Sequence, residues 1–529
     1  MSDTVAQTCP EYTRYTPNQR LAILIGVILG MILVSLDSTI VNVANPTMMG
    51  NLGVTMDQIS WVSIGYMLTN VIFLPMTGWL EARYGRRNLL VCSLAVFTAT
   101  SFLCGTATSL GVLIFYRVLQ GMGGAALMST GMATMLDVYP PEKAGIVSAV
   151  FGIGVMVGPA LGPLVGGYLV DNYSWPWIFY VNVIPGIIAS VILWATMKEP
   201  QTPADVDKPI DILGIVWLSM WLGCLQVMLE KGERQGWMES RFIQWLAILS
   251  VIGMILFLHR SLTARYPIVN LRVLKNKALA AGCTCSFVQG VGLFSTLFVL
   301  PVFLQGLRGY TAQQSGAIML TWALASTAGM MVCGAISNRV SARLVIAVGT
   351  VCCASAMFAM SSVTFLSGPE HIFWPQIFLG AGIGFMMVPL LTASMAGLTG
   401  NDLGDGSGLF NMTRQLGGTI GIALISTILS KRMHFHNTML AEHVNIYNPE
   451  TFSRFNMFQQ FFMSKGASVD AAQNKALAVM NGSILGQATI MSYNDLFLLI
   501  ALAFALILLF ILFLRDPKPG DSRSQISIH

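Results

Sequence analysis

The chain has 529 residues, of which 54% are hydrophobic and 10% are charged, and its formal net charge is +5. Soluble proteins carry about 25% charged residues, so this composition excludes a soluble protein and indicates a polytopic membrane protein. The sequence contains no nucleotide-binding loop, no nucleophile with an adjacent base and no cluster of metal ligands, so we expect neither an enzyme nor a site for a cofactor, a metal or nucleic acid.

Fourteen apolar runs are long enough to cross a bilayer as helices. They lie at 21–43, 59–79, 89–107, 111–136, 144–168, 177–196, 211–229, 241–259, 278–302, 313–336, 343–366, 371–398, 407–429 and 495–514. The arm before them, 1–20, and the tail after them, 515–529, then share one side of the membrane. Most Lys and Arg residues of the short loops fall on that same side, which predicts that both termini are cytoplasmic.

The sequence also contains an internal repeat. Gly78, Arg83 and Arg87 follow the second run, and Gly334, Arg339 and Arg343 repeat that spacing 256 residues later. Such a repeat predicts an all-α fold of two six-helix halves, 21–200 and 271–514, with two inserted helices in 201–270 and a substrate cavity between the halves. The polar segment 431–494 is expected to be a non-cytoplasmic loop with one surface helix at about 468–480.

Asp37 lies inside the first run, in the stretch Leu-Asp-Ser-Thr-Ile-Val-Asn-Val-Ala-Asn-Pro from Leu36 to Pro46. A charged aspartate at such a depth costs about 2.5 to 3.5 kcal/mol, so it should face a wet cavity, pair with a cation or hold a proton. Each possibility makes Asp37 a candidate for proton coupling, which requires a route to water. The alternative is a structural polar contact between helices.

Arg117 is a second charge within an apolar run, in the stretch Phe-Tyr-Arg-Val-Leu-Gln-Gly-Met-Gly-Gly from Phe115 to Gly124. Its side chain could extend to the lipid headgroups, since it lies only a few residues into the run. Alternatively it faces the cavity, where its positive charge would favour the deprotonated form of an acid such as Asp37.

Two glycine-containing stretches complete the pattern in the first half. The loop after the second run reads Gly78-Trp-Leu-Glu-Ala-Arg83-Tyr-Gly85-Arg86-Arg87, either a tight turn whose arginines pair across the halves or a turn with anchoring charges. In the fifth run, the notable residues are Gly154, Gly158, Pro159, Gly162, Pro163, Gly166 and Gly167. Glycines spaced by four lie on one helix face and allow a neighbouring helix to approach closely, while the prolines permit bending.

Together these four stretches resemble the signatures of the drug/proton antiporters of the major facilitator superfamily. With the segment 171–182 and the long segment after the thirteenth run, they resemble in particular the fourteen-span, EmrB-type multidrug exporters. The loop departs from the usual pattern, because Ala82 replaces an acidic residue and Glu81 stands one position early. The resemblance implies proton-driven export of small toxic compounds, antibiotics among them, from the inner membrane of a bacterium. It also implies a periplasmic adaptor and an outer-membrane channel as partners. A transporter of one metabolite, such as a fatty acid or a siderophore, is the alternative.

Several other residues are weighed as cavity or surface groups. Arg414 could meet anionic substrates or pair with a helix carbonyl. Glu230 is a rim or a functional residue, and His434, His436 and His443 are expected to be solvated loop residues. The predicted cavity residues are Asn42, Tyr66, Gln289, Phe294, Asn411 and Arg414, with Trp61, Met67 and Met387 as further candidates. Segment 431–494 is a docking surface for the adaptor or a solvated tether.

The predicted mechanism is alternating access, in which the two halves rock about the cavity while Asp37 exchanges a proton for a substrate.

Overall fold

The computed structural model describes residues 11–140, 144–198, 211–336, 340–364, 367–368, 370–398, 401–444, 447–512 and 514. All regular elements in these ranges are helices. They are α1 Pro17–Leu52, α2 Met56–Phe73, α3 Thr77–Tyr84, α4 Arg86–Gly105, α5 Leu110–Val138, α6 Ala144–Asn172, α7 Trp177–Tyr180, α8 Val183–Thr196, α9 Ile212–Lys231, α10 Arg241–Thr263, α11 Lys277–Val302, α12 Ala312–Ile336, α13 Ala342–Met360, α14 Glu370–Ser394, α15 Asn401–His443, α16 Pro449–Ser464 and α17 Val469–Ile511.

Local signals in the sequence account for where the first helix begins and ends. Thr16 and Gln19 form a reciprocal capping box at the start of α1, and Pro17 occupies the first helical position, where a missing N–H costs nothing. Gly53 ends the helix with φ of 64°, a left-handed conformation that glycine adopts without a steric penalty.

Twelve helices of the described part are long and apolar enough to cross a membrane. The helices α6 and α15 lie at two further predicted spans and pack along α1 and α11. Every predicted span therefore corresponds to a helix, which confirms the predicted fold class of an all-α polytopic protein.

Segment 431–494 is more helical than predicted, while its place outside the membrane stays a prediction. In the described residues of this segment, α15 continues to His443, α16 follows, and α17 begins at Val469 and runs into the membrane span without a break. The expected surface helix at about 468–480 is the first part of α17. Hydropathy marked only the apolar parts of the two 43-residue helices, because their outer ends are polar.

The two halves repeat one packing arrangement. In the first, α6 lies along α1, α5 packs against α2 and α4, and α8 contacts α1 and α4. In the second, α15 lies along α11, α14 packs against α12 and α13, and α17 contacts α11 and α13. We call the end of the bundle where α1, α4, α6 and α13 begin the arginine-rich face, after Arg86, Arg87 and Arg343. The other end is the far face.

The halves meet differently on their two sides. On one side, α6 packs along α12. On the other, α15 contacts the segment from Leu74 to Tyr84 at the arginine-rich face, and the inserted helix α9 packs against both α2 and α15. Arg260 of α10 pairs with Asp211 at 2.8 Å, and Asp211 also caps α9, which ties the inserted helices together.

Candidate functional site

The site is built around Asp37 of α1, which packs against α2, α5, α6, α7 and α8. The carboxyl group is fully buried and accepts hydrogen bonds on both oxygens. Arg117 of α5 donates to Oδ2 at 2.5 Å, while Gln120 and Asn182 donate to Oδ1 at 3.0 and 3.1 Å. This arrangement satisfies a charged carboxylate inside the membrane through one cation and two neutral donors.

Arg117 is held in place by several partners at once. Only 1% of its surface is exposed, so the alternative that it extends to lipid headgroups is wrong. Its Nη1 also donates to Gln120 at 2.8 Å, its Nε donates to the carbonyl of Val62 at 3.2 Å, and its guanidinium lies 4.4 Å from the centre of the Tyr66 ring. Such a guanidinium is oriented from three sides, so the ion pair has a single defined geometry.

The structure brings a second layer of polar groups to this pair that the sequence analysis did not assign to the site. Asn182, between α7 and α8, also donates to the hydroxyl of Ser101 at 3.2 Å, and Ser101 donates to the carbonyl of Phe179 at 2.9 Å. Gln120 stands in the same motif as Arg117, three residues further on. Ser101 and Asn182 follow Asp37 by 64 and 145 residues, so nothing in the sequence placed them beside it.

The expectation that Asp37 reaches water is not met in this conformation. The exposed fraction is 0% for Asp37, Gln120 and Asn182, and it is 3% for Tyr66. Of the three possibilities weighed for this aspartate, the structure corresponds to pairing with a cation. Any proton exchange therefore requires the surrounding helices to move.

The glycine face of α6 packs directly against α1 beside Asp37. A methyl group added to Gly158 would overlap Ser35, and one added to Gly162 would overlap Thr39. Gly154 and Gly166 face Met31 and Ile40 in the same way, whereas Gly167 has nothing within 4 Å of such a methyl group. The helix continues through Pro159 and Pro163, whose side chains lie outside the described part.

The loop motif at the arginine-rich face forms a charge cluster within the first half. Arg86 pairs with Glu81 at 2.5 Å and with Asp137 at the end of α5. Glu81 thus supplies the carboxylate that the departure at Ala82 had put in doubt. Arg87 donates to the carbonyl of Trp194 at 2.9 Å, and the guanidinium of Arg83 lies 5.7 Å from the centre of the Trp79 ring.

Two further features of this motif follow from the backbone and the repeat. Gly85, with φ of 79°, provides the turn between α3 and α4. In the repeated motif, Arg343 donates to the carbonyl of Leu514 at 2.6 Å, and Arg339 lies outside the described residues.

The predicted cavity residues differ in exposure. Gln289 is 1% exposed and Tyr66 is buried under Arg117, so neither side chain is open to a substrate in this conformation. Asn42 is exposed and accepts from Ser63, and Phe294 is half-buried. Arg414 is half-buried and donates to the side chain of Asn411 at 2.8 Å. The three other candidates, Trp61, Met67 and Met387, are half-buried.

Two surface predictions meet different outcomes. Glu230 is exposed at the end of α9, as a rim residue would be. His436 is not a solvated loop residue, because it lies within α15, is 9% exposed and contacts Asp495 of α17 at 2.8 Å. His434 and His443 also lie within α15.

Known proteins resemble this chain in sequence and in fold. The Major Facilitator Superfamily profile matches residues 27–422. The multidrug export protein EmrB of Haemophilus influenzae is 32% identical over 486 residues, covering 91% of this chain and 93% of that protein. The fatty acid resistance protein FarB of Neisseria gonorrhoeae is 30% identical over 482 residues, with the same coverage. The structure of the proton:xylose symporter XylE covers 93% of this chain and 97% of its own, at a TM-score of 0.57 and 12% identity, which is a likeness of fold.

Proposed function

This chain belongs to the Major Facilitator Superfamily, and from that premise we propose that it exports small amphipathic toxic compounds in exchange for protons. The observation that carries the proposal is the buried pair of Asp37 and Arg117. A buried ion pair is a poor means of stabilising a helix contact, because apolar side chains of similar volume are often at least as stabilising. Its retention is explained if the carboxylate exchanges a proton during transport.

The mechanism couples protonation to movement of the halves. Protonation of Asp37 removes one charge from the pair and leaves Arg117 unbalanced, which weakens the contacts that α1, α4, α5 and α8 make at this point. When the halves rock and the cavity opens to the other side, release of the proton restores the pair. Substrate and proton then use the same two conformations in alternation.

The direction of transport follows from the proposed orientation. We place both termini and the arginine-rich face in the cytoplasm of a bacterial cell whose inner membrane holds the protein.

One entering proton releases about 2.3 kcal/mol per 100 mV of membrane potential and about 1.4 kcal/mol per pH unit of the pH difference. Exchange of one proton for one monovalent cation moves no net charge, so the pH difference alone would drive it. A neutral or anionic substrate would also draw on the voltage.

A second candidate function is export of one carboxylate-bearing metabolite, and Arg414 favours it. Among the described residues no carboxylate pairs with this half-buried guanidinium, whose hydrogen-bond partner is the neutral side chain of Asn411. An uncompensated positive charge within a membrane-spanning segment favours an anionic ligand. The named function of FarB, fatty acid resistance, is compatible with such a substrate.

The helices α15, α16 and α17 extend beyond the far face and provide the surface where we place a periplasmic adaptor. Their described residues form a helical projection with exposed apolar side chains, including Phe452, Met457 and Phe461 at about half exposure each. Such a patch on an otherwise polar projection is typical of a protein contact. An outer-membrane channel would complete the export path.

The test is transport in proteoliposomes with an imposed pH gradient. The probes are fluorescent amphipathic dyes of positive, neutral and negative charge. We expect Asp37→Asn to abolish uphill export of every dye that the wild type exports, while equilibrium binding of the dyes is largely retained, as in an uncoupled but folded carrier. The exposed Asp171→Asn variant is the matched control and should transport normally. Undiminished uphill export by Asp37→Asn would reject the proton assignment.

A further inference from the structure

A groove between α4 and α8 opens on the outer surface of the helix bundle. Its volume is about 500 Å³, and its lining comes from α4 within 95–103 and from α8 within 183–191. Ala95 and Ala99 lie one helical turn apart on α4, are exposed, and have side chains too small to fill the space between the helices. The groove therefore interrupts the apolar surface that α4 and α8 present to the membrane.

The two helices touch each other behind the groove. A methyl group added to the buried Gly186 of α8 would overlap the hydroxyl of Thr98 in α4. One added to Gly105, at the end of α4, would overlap the ring of Tyr180. The groove therefore lies on the membrane side of a close helix contact.

Both hydroxyl groups in the lining already donate hydrogen bonds within their own helices. Thr98 donates to the carbonyl of Leu94 at 2.7 Å, and Ser190 donates to the carbonyl of Gly186 at 2.8 Å. The other lining side chains are hydrocarbon. A polar group placed in the groove would give up water without gaining a donor from any of these side chains, which is unfavourable. The lining therefore suits a hydrocarbon chain.

The groove extends along the helices by about the depth of one bilayer leaflet. At about 1.5 Å per residue, the stretch 95–103 of α4 rises by about 12 Å. One leaflet supplies half of a hydrocarbon core that is about 30 Å thick. Since α4 runs from Arg86 to Gly105, this stretch is the half of the helix nearer the far face. The groove therefore lies at the depth of the far leaflet.

A series of aromatic rings continues from the groove toward the far face. The ring centre of Phe102, in the lining, lies 5.7 Å from that of Tyr180, which lies 5.9 Å from that of Trp177. Trp177 lies 5.4 Å from Tyr173, and both side chains are exposed. Trp and Tyr side chains concentrate at the level of the lipid headgroups. The groove therefore leads from the hydrocarbon region to the headgroup region.

We propose that the groove binds one acyl chain of a phospholipid of the far leaflet, whose headgroup lies beside the aromatic residues of 173–180. The bound chain completes the packing of α4 against α8 next to Ser101 and Asn182, and this role does not depend on the exported compound. The sequence has no Lys or Arg within 88–116 or 144–197, so a negative headgroup charge is not selected.

Photocrosslinking of the full-length protein in lipid nanodiscs tests the proposal. The probe is a phosphatidylcholine with a diazirine near the middle of one acyl chain. Peptides covering 95–103 and 183–191 should be labelled more strongly than 245–258 on the exposed helix α10, and phosphatidylglycerol with the same chain should label them equally. Ala99→Phe fills the groove and should lose this label, whereas Val96→Phe, on the exposed surface of α4 beside the groove, should keep it.

A second variant keeps the test decisive if Ala99→Phe does not fold. Ile187→Ala removes part of the lining without adding volume, so it should lower labelling of the groove and leave that of α10 unchanged. Groove labelling no stronger than that of α10 would show ordinary lipid contact and overturn the inference. Displacement of the label by an excess of the amphipathic dyes would identify a cargo site, which would also overturn it.

Discussion

The ion pair of Asp37 and Arg117 must persist in the folded protein and yet separate when the carboxylate takes up a proton. Removing one partner from a buried ion pair leaves an uncompensated charge and typically costs about 3–5 kcal/mol, whereas removing both costs far less. Gln120 and Asn182 lower the cost of keeping the pair, because they satisfy the second carboxylate oxygen. The pair therefore acts as a contact that a single proton can weaken.

The two buried charges should depend on each other for the stability of the fold. Asp37→Leu should lower the free energy of unfolding by about 3–5 kcal/mol, since Arg117 would remain buried and charged. The double variant with Arg117→Met should recover most of that loss, yet it should not transport uphill. Thermal unfolding in detergent, followed by tryptophan fluorescence, measures the first effect. Equal destabilisation of the single and double variants would contradict the pairing.

Arg414 gives a prediction about substrate charge. A charge-assisted hydrogen bond is worth about 1.5–3 kcal/mol, and 1.4 kcal/mol corresponds to a tenfold change in affinity. We expect Arg414→Gln to raise KM for a carboxylated dye about tenfold and to leave KM for its methyl ester unchanged. Arg414→Lys should be intermediate. The exposed Arg265→Gln is the control, and equal effects on acid and ester would show that Arg414 is structural.

The sequence identified the centre of the site but not its second layer. Two charges in apolar runs are strong signals, because burial of a charge demands a partner, and a cavity-facing Arg117 near Asp37 is one of the two placements that the sequence allows. Ser101 and Asn182 are neutral and distant in sequence, so only the fold brings them together. Water access also depends on the conformational state, which composition does not encode.

The glycines of α6 position this helix against α1. Four glycines at intervals of four residues remove side chains from one face, so the backbone of α6 reaches Ser35 and Thr39 on either side of Asp37. The periodicity predicted the close approach but not the partner helix. The full length of α15 and α17 was not predicted, because their outer turns are polar and hydropathy detects only apolar runs.

The glycine face makes a prediction with an internal control. Gly158→Ala would force its methyl group into Ser35, and overpacking of this kind costs about 1–3 kcal/mol. We expect lower thermal stability and slower transport for this variant. Gly167→Ala lies on the same helix in open space and should fold and transport as the wild type does. Similar losses in both variants would mean that helix propensity or expression, and not packing, is responsible.

The two halves of the molecule meet along two lines of contact, and these differ in which helices form them. Along one, α6 packs directly on α12; along the other, α9 stands between α2 and α15. Lys231 of α9 lies 4.9 Å from the centre of the Trp61 ring in α2. Beyond the end of α9, the indole N–H of Trp237 is shared between Thr427 of α15, at 3.1 Å, and Glu233, at 3.2 Å. The inserted helices therefore connect both halves near the far face.

Rocking of the halves must change these contacts, because α2 and α15 belong to different halves. Trp237→Phe keeps the ring and removes the shared N–H donor, so the contact with α15 weakens by up to about 1 kcal/mol. Conformations in which α1 and α12 move apart at the far face then become up to about fivefold more populated. Spin labels at Asn51 and Thr311 in a cysteine-free background would report this as a larger fraction of long distances. Trp245→Phe on the exposed side of α10 is the control. An unchanged distance distribution in Trp237→Phe would mean that the inserted helices move with one half and do not restrain the other.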